Sequence, residues 1–405
     1  MAIYGPTTGF NTPPDPNTGL SQDLGSRYVS KDYLLDVYPN LIPGGFANTA
    51  PGLWEWGRNY AGGLGLNDQT HRSSPVQVGA LNNWKQISGG NDGFIAIKTN
   101  GTLFTWGLNW FYGHLGLGDV NHRSSPVQVG ALTNWKLVAS GWYHTAAIKN
   151  DGTLWMWGAN TYGQLGLLDI THRSSPVQVG ALTTWRQAGL GLQITAAIKT
   201  DGTLWTWGFN NATFGQLGLG DVVHRSSPVQ VGALTNWKQV AGGNGWFAAI
   251  KTDGTLWTWG YNNNGQLGLS DITHRSSPVQ VGALTNWRQV VAAGLTTNAI
   301  KTDGTLWTWG HNSYGALGLG DVDHRSSPVQ VGALTNWKQV AGGQYINGAI
   351  KTDSTLWTWG HNGYGQLGLG DLNHQSSPIQ VGALTTWKQV ASTTSSVASI
   401  KDAYI

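Results

Sequence analysis

The sequence predicts an all-β fold: a seven-bladed β-propeller with four antiparallel strands per blade. The ring is closed by a blade shared between the N- and C-terminal strands and is preceded by an extended N-terminal arm. Three observations lead there. An aromatic-x-Trp-Gly motif recurs seven times, with its Trp at Trp56, Trp106, Trp157, Trp207, Trp259, Trp309 and Trp359. Each copy of about fifty residues has room for four short strands, the signature of a propeller blade. The first and last copies are incomplete in complementary ways.

Strand A reads WKQVA, strand B AAIKT, strand C TLWTWG and strand D PVQV. Thr-Asp-Gly or Asn-Asp-Gly between B and C in most copies is a tight-turn signal, because Gly accepts the positive φ required there. Pro is expected to open strand D, as suits an outer edge strand whose missing N–H harms no ladder. In strand C the aromatics alternate with Leu and Thr, as in Leu256, Trp257, Thr258 and Trp259, so both faces carry something to bury. Each buried Trp removes roughly 150–250 Å² from water, so a few per blade supply most of the adhesion between blades. Helical solenoids would show a 3.6-residue apolar period, which is absent.

The chain enters the repeat at strand C (GLWEWG) and leaves it after strands A and B (WKQVASTTSSVASIK). One blade is therefore expected to join residues 53–78 to residues 387–401, leaving no open sheet edge. The spacing from each marker His (His71, His122, His172, His224, His274, His324, His374) to the next strand-A Trp is 13 residues in all seven copies. From that Trp to the next strand-C Trp it is 22 in all six countable cases. Length varies only in the C–D connection.

In an A-B-C-D blade the A–B and C–D connections share one face of the disc, and these hold nearly all the differences between copies. That face is the expected binding surface. Its candidate residues are Asp92, Phe94, Trp110, Phe111, Trp142, Tyr143, His144, Phe209, Phe214, Trp246, Phe247, Tyr261, Tyr314, Tyr345 and Tyr364. Tyr, Trp, Asn, Gly and His suit adaptable recognition surfaces, and they also suit sugar rings, which stack on aromatics and hydrogen-bond to amides.

The marker His, one per blade, cannot converge on one ion, so each is expected to hydrogen-bond its own loop instead of a metal. The Asp of Leu-Gly-Leu-x-Asp, as in Asp119, Asp221 and Asp321, is expected to close a local turn. No nucleophile–base–acid set departs from the repeat, so no enzyme activity and no cofactor are expected. The 405 residues carry a net charge of +3 without a basic cluster and contain no Cys. Nucleic-acid binding, disulfides and thiolate metal sites are not expected. The opening MAIYGPTTGFNTPPDP lacks a basic region followed by an apolar run, and no apolar stretch is long enough to span a bilayer.

The pattern WKQVAGG…AAIKTDGTLWTWGxNxxGQLGLGD…PVQV closely resembles the repeat of the regulator-of-chromosome-condensation propeller family, over residues 53–401. The resemblance implies seven four-stranded blades. It also implies a range of functions: exchange factor for a small GTPase, UV-B photoreceptor, enzyme inhibitor, and bacterial and phage proteins of undefined role. The exchange factor's basic tail has no counterpart. The photoreceptor's Gly-Trp-Arg-His-Thr motif is matched only by Gly141-Trp142-Tyr143-His144-Thr145, with Tyr in place of Arg. The near-identity of the copies resembles prokaryotic and viral members.

Residues 1–50 lie outside the repeat, and the propeller is expected over residues 51–405. The arm is rich in Pro, with one candidate helix over residues 31–37 between Ser30 and Pro39. Tyr4, Phe10, Tyr28, Tyr33, Leu34 and Tyr38 are its candidate anchoring residues. The leading expectation is a virion protein: the arm docks on other structural proteins of a particle, and the loop face meets a host-surface glycan, host protein or neighbouring subunit. The alternative is a cytoplasmic or extracellular protein-binding module, inhibitor-like or exchange-factor-like.

Overall fold

The computed structural model describes residues 51–402, which form seven four-stranded antiparallel sheets, one per blade. In blade 5, strand A is Trp237–Gly242, strand B Trp246–Lys251, strand C Leu256–Gly260 and strand D Arg275–Gln280, adjacent in that order. The arm and its six anchoring candidates lie outside the described residues.

Blade 1 is the shared one. Its strands are Trp387–Ser392, Ser396–Lys401, Gly52–Gly57 and Arg72–Asn82. The N- and C-terminal strands pair without a bulge, from Gly52 opposite Lys401 to Gly57 opposite Ser396. Blades 2 to 7 follow in chain order, starting at Trp84, Trp135, Trp185, Trp237, Trp287 and Trp337.

Two strand boundaries differ from expectation. Strand D starts at the Arg after the marker His, so Pro does not open it. Gly260 pairs with Arg275 and Thr258 with Val279, placing four residues of strand D against two of strand C. Pro278 falls inside this bulge, where its nitrogen owes no ladder bond. Strand B starts two residues before the expected Ala-Ala-Ile, at Trp246 in blade 5 and His144 in blade 3.

The core lies between blades. Seven clusters of buried apolar residues each straddle two consecutive blades. Between blades 4 and 5, Ile198, Leu204, Leu217 and Val231 of one face Trp237, Val240, Phe247 and Trp259 of the next. The period-two alternation of strand C makes this possible: Leu256 faces the following blade while Trp259 faces the preceding one. The Trp indoles also tie blades by hydrogen bonds. Trp157 Nε1 donates to the His114 carbonyl at 2.9 Å, and Trp309 to the Gln266 carbonyl at 3.0 Å. The first Gly of Leu-Gly-Leu-x-Asp leaves room for that indole: a Cβ on Gly268 (φ +72°) would lie 2.6 Å from Trp309 Nε1.

Near the axis the strand A ends crowd together. A Cβ on Gly89 of blade 2 would meet the Ser392 carbonyl of blade 1 at 2.3 Å, which explains the glycines that end strand A. Strand A glutamines bridge neighbours by paired amide bonds. Gln239 Nε2 donates to the Val290 carbonyl at 2.9 Å and Val290 N–H to Gln239 Oε1 at 3.1 Å. Gln389 ties Ile87 the same way across the closing junction.

The B–C turns on the opposite face are built alike. Asp253 Oδ1 accepts from the Thr255 amide and hydroxyl at 2.9 and 2.7 Å, across Gly254 at φ +78°. The Lys that ends strand B then lies on the aromatics: Lys251 Nζ is 3.6 Å from the Trp257 ring centre and 4.9 Å from that of Trp237. Burial lowers the pKa of this Lys.

Two departures from the repeat carry predictions. Ser354 replaces the turn glycine and holds φ +62°. Ser354→Gly is expected to stabilise the protein by about 1 kcal/mol, as read by a higher urea midpoint. Glu55 stands fully buried where other copies have Thr105, Thr206, Thr258, Thr308, Thr358 or Met156. Burial raises its pKa well above the usual carboxylate value, and the hydrogen bond from Trp106 Nε1 at 3.2 Å only partly opposes this. A raised folded-state pKa favours the protonated form. Stability is therefore full below the unfolded carboxyl pKa and is lost as pH rises through the folded value. Glu55→Thr is expected to remove that slope and to raise the neutral-pH melting temperature; an unchanged slope would refute it.

Candidate binding face

Each C–D loop is held by the same clasp. The Asn of Trp-Gly-x-Asn is buried and bonds on three sides. In blade 6, Asn312 N–H donates to the marker His324 Nδ1 at 2.9 Å, Asn312 Oδ1 accepts from Leu317 N–H at 2.7 Å, and Asn312 Nδ2 donates to the Asp321 carbonyl at 3.1 Å. The Asn–His bond recurs in all seven blades, at 2.8–3.0 Å. Each marker His thus anchors its loop, as its repetition implied.

The turn Asp does the same. Asp119 Oδ1 accepts from Asn121 N–H at 2.9 Å, and Oδ2 meets Arg123 at 2.5 Å. The Asn121 amide, then Arg123, holds its carboxyl below the usual range. The Arg–Asp pair occurs in blades 1 to 6; blade 7 carries Gln375 instead. The clasp Asn was missed in the sequence, although Trp-Gly-x-Asn stands in every copy.

On this frame, the residue before the loop glycine reaches the next blade's marker His. Tyr112 lies 4.8 Å from His172, Tyr162 5.3 Å from His224, Phe214 4.7 Å from His274, Tyr314 4.9 Å from His374 and Tyr364 5.3 Å from His71. Edge-on rings therefore staple neighbouring loops together.

The fifteen candidates separate by burial. Trp110 and Phe111 are exposed, Phe111 at 85%, and Trp110 stacks on Tyr143 at 6.1 Å. Tyr314 and Tyr364 are exposed, while Trp142, Tyr143, Phe209, Phe214, Tyr261 and Tyr345 are half-buried. Phe94, Trp246, Phe247 and His144 are instead buried, because strand B begins earlier than expected and their side chains enter the inter-blade clusters or the strand ends. Phe94 packs with Trp106, and Phe247 with Trp259. They offer no side-chain surface to a ligand.

Asp92 is also buried, at φ +36°, and accepts from Ser395 Oγ at 3.0 Å. Its other oxygen meets Arg58 at 3.4 Å. The guanidinium of Arg58, missed in the sequence, lies between Tyr60 and Tyr364 at 4.9 and 5.3 Å. The central well is lined chiefly by small residues, with Trp142 at its edge. Among the described residues no group of three or more His, Asp or Glu is arranged to hold a metal ion.

The blades have counterparts in known proteins. The model of the "Regulator of chromosome condensation (RCC1) repeat" matches residues 52–97, 100–148, 151–198, 201–250, 253–300, 303–350 and 353–400. The chain belongs to the RCC1 repeat family. Its RCC1 repeats are 33% identical over 216 residues to the ultraviolet-B receptor UVR8 of Arabidopsis thaliana, covering 52% of this chain and 49% of the receptor. They are 33% identical over 114 residues to the probable E3 ubiquitin-protein ligase HERC3 of Homo sapiens, covering 27% of this chain and 11% of the ligase. The chain spans about half the length, or less, of these relatives. Yeast RCC1 (Prp20), solved bound to Kap60, superposes with a TM-score of 0.78 at 19% identity, covering 89% and 90% of the two chains. Human WBSCR16 gives 0.77 at 20%, covering 88% and 100%. At such identities the structures share the RCC1 fold.

Two histidines outside the marker set lie buried under this face, His114 in the C–D loop of blade 2 and His144 at the start of strand B in blade 3. His144 Nε2 lies 2.9 Å from Thr195 Oγ1, which itself donates to the Gln164 carbonyl. The imidazole is therefore the donor at Nε2, and its buried Nδ1 has no acceptor for a second proton. Burial lowers His144 to about 3 and His114 to about 4. A lowered folded-state pKa favours the neutral ring, so stability is full above about 6.5 and falls with pH toward those values. The loss is up to about 1.4 kcal/mol per pH unit and histidine. His144→Ile combined with His114→Gln, the residues at the matching positions of blade 4, should flatten this acid limb in urea titrations at pH 7.5 and 5.

Proposed function

We propose that this RCC1-repeat propeller is a non-enzymatic protein-binding module that docks a protein partner on its A–B/C–D loop face, in the manner of an inhibitor or exchange factor. The observation that carries this reading is the asymmetry of the disc. One face is built from near-identical turns, and the other presents aromatics on a clasped, preorganised frame. Trp110 and Phe111 stand out from it, and Trp and Tyr anchors on rigid supports dominate protein interfaces. The RCC1 relatives add support: yeast RCC1 was solved bound to the protein Kap60, and another study of Prp20p concerns its binding to Gsp1p and histones.

A virion-associated role, with residues 1–50 as an anchoring arm, is a second reading. It rests on the non-repeat arm and the near-identity of the copies, and the relatives named here are eukaryotic. Loss of particle incorporation on deleting residues 1–50, with the propeller still folded, would favour it.

The main reading is tested by crosslinking and capture with the full chain. Trp110→Ser with Phe111→Ser is expected to lose the captured protein, while Leu234→Ser with Leu284→Ser on the opposite face keeps it. Equal capture by both variants would overturn this assignment of the face.

A further inference from the structure

The loop face carries a cleft between blades 4 and 5. It encloses about 350 Å³ and is lined by Leu192, Phe209, Phe214, Tyr261 and Leu295, with Gln193 and Gln216 among its polar residues. No charged side chain lines it. We propose that this cleft is a socket for one apolar side chain, aromatic or branched aliphatic, on an uncharged segment of the protein partner. The proposal rests on the protein-binding reading above and deepens it.

The connection from Trp207 to His224 is the longest of the seven C–D loops, 17 residues against the usual 15. From it Phe214 reaches over blade 5, where it meets Tyr261 edge-on at 5.0 Å and His274 at 4.7 Å. Phe209, on the other wall, is held by Tyr162 at 4.5 Å and His224 at 5.0 Å. The rings are thus fixed from behind, so an incoming side chain meets a formed wall with little ordering cost.

A second, independent observation says what accompanies that side chain. Gln216 is 2% exposed. Its Oε1 accepts from Asn211 N–H at 2.7 Å, which fixes the amide, while its Nε2 donates to none of the described residues and keeps contact with solvent at the cleft wall. Blade 7 shows how the same amide is satisfied elsewhere: Gln366 Nε2 meets His361 Nδ1 at 2.5 Å. In blade 4 the position of His361 is taken by Phe209, which cannot accept. A fixed donor on the cleft wall is thus left open to an acceptor brought by a ligand, in place of water. A peptide supplies both needs at once, an apolar side chain for the rings and the adjacent backbone carbonyl for Gln216. With no charged side chain in the lining, nothing there would pair with an acidic or basic residue.

Saturation-transfer NMR on the full chain tests this with N-acetyl-L-phenylalaninamide, N-acetyl-L-leucinamide, N-acetyl-L-glutamic acid amide and methyl β-D-glucoside as probes. Transfer to the first two and not to the glutamic probe is expected. Phe214→Ala should abolish it, and Gln216→Leu, which removes the donor, should weaken it roughly three- to tenfold. Transfer to the glucoside alone would assign the cleft to sugars and overturn the proposal. So would equal transfer to the glutamic probe, or signals unchanged in both variants. Capture of a protein that survives Phe214→Ala and Gln216→Leu but is lost with Trp110→Ser and Phe111→Ser would remove the socket and leave the protein-binding reading standing. Capture unaffected by any of them would remove both.

Discussion

The structure depends on one interaction repeated around the ring: the second Trp of strand C buried against the preceding blade. A four-stranded sheet of short strands cannot bury two faces alone, and each blade here has two apolar faces. Trp259 closes the face left open by Leu204, Leu217 and Val231 of blade 4, and Leu256 offers the same seat to Trp309. Because every blade is both seat and wedge, the first and last must meet. The unbroken pairing of Gly52–Gly57 with Ser396–Lys401 is that meeting, with Trp56 wedged against blade 7 and Leu53 seating Trp106.

From this constraint follows the division of labour between the two faces. The glycines and glutamines of strand A set how closely the blades approach at the axis. The Asn–His–Asp clasp fixes where each C–D loop leaves the blade. Once the exit is fixed, the residues after the clasp Asn can differ without disturbing the core, and they range from Ala61 and Asn264 to Phe214 and Tyr314. Charges and imidazoles that break the repeat fall where blades meet. Glu55 lies under Trp106, His144 against Thr195 of blade 4, and Asp92 against Ser395 of blade 1. These departures couple the junctions of blades 1 to 4 to pH, in opposite directions for Glu55 and for the two histidines.

Much of this architecture is legible in the order of residues. The blade count, the shared blade and the loop-holding role of the marker His rest on fixed spacings, and a spacing kept through every copy leaves few geometries open. The binding candidates were less legible. Phe94, Trp246, Phe247 and His144 sit next to variable loop residues in the sequence, yet strand B begins with them, and a strand that starts two residues earlier turns those side chains inward. The clasp Asn and the stacked Lys stood in every copy. Their repetition showed only that something was held in place, since their partners are five to fourteen residues away or across the blade.

The sequence by itself determined the ring, because alternation within strand C and constant intervals between markers are properties of the chain alone. Only the tertiary structure decided which aromatics remain at the surface and which charges are buried. It also decided which loops lean together into a cleft. Those outcomes depend on neighbouring blades: Phe214 acquires its place from Tyr261 and His274, and Phe209 from Tyr162. Contacts of that kind arise between copies some fifty residues apart and leave no mark in the order of residues within one.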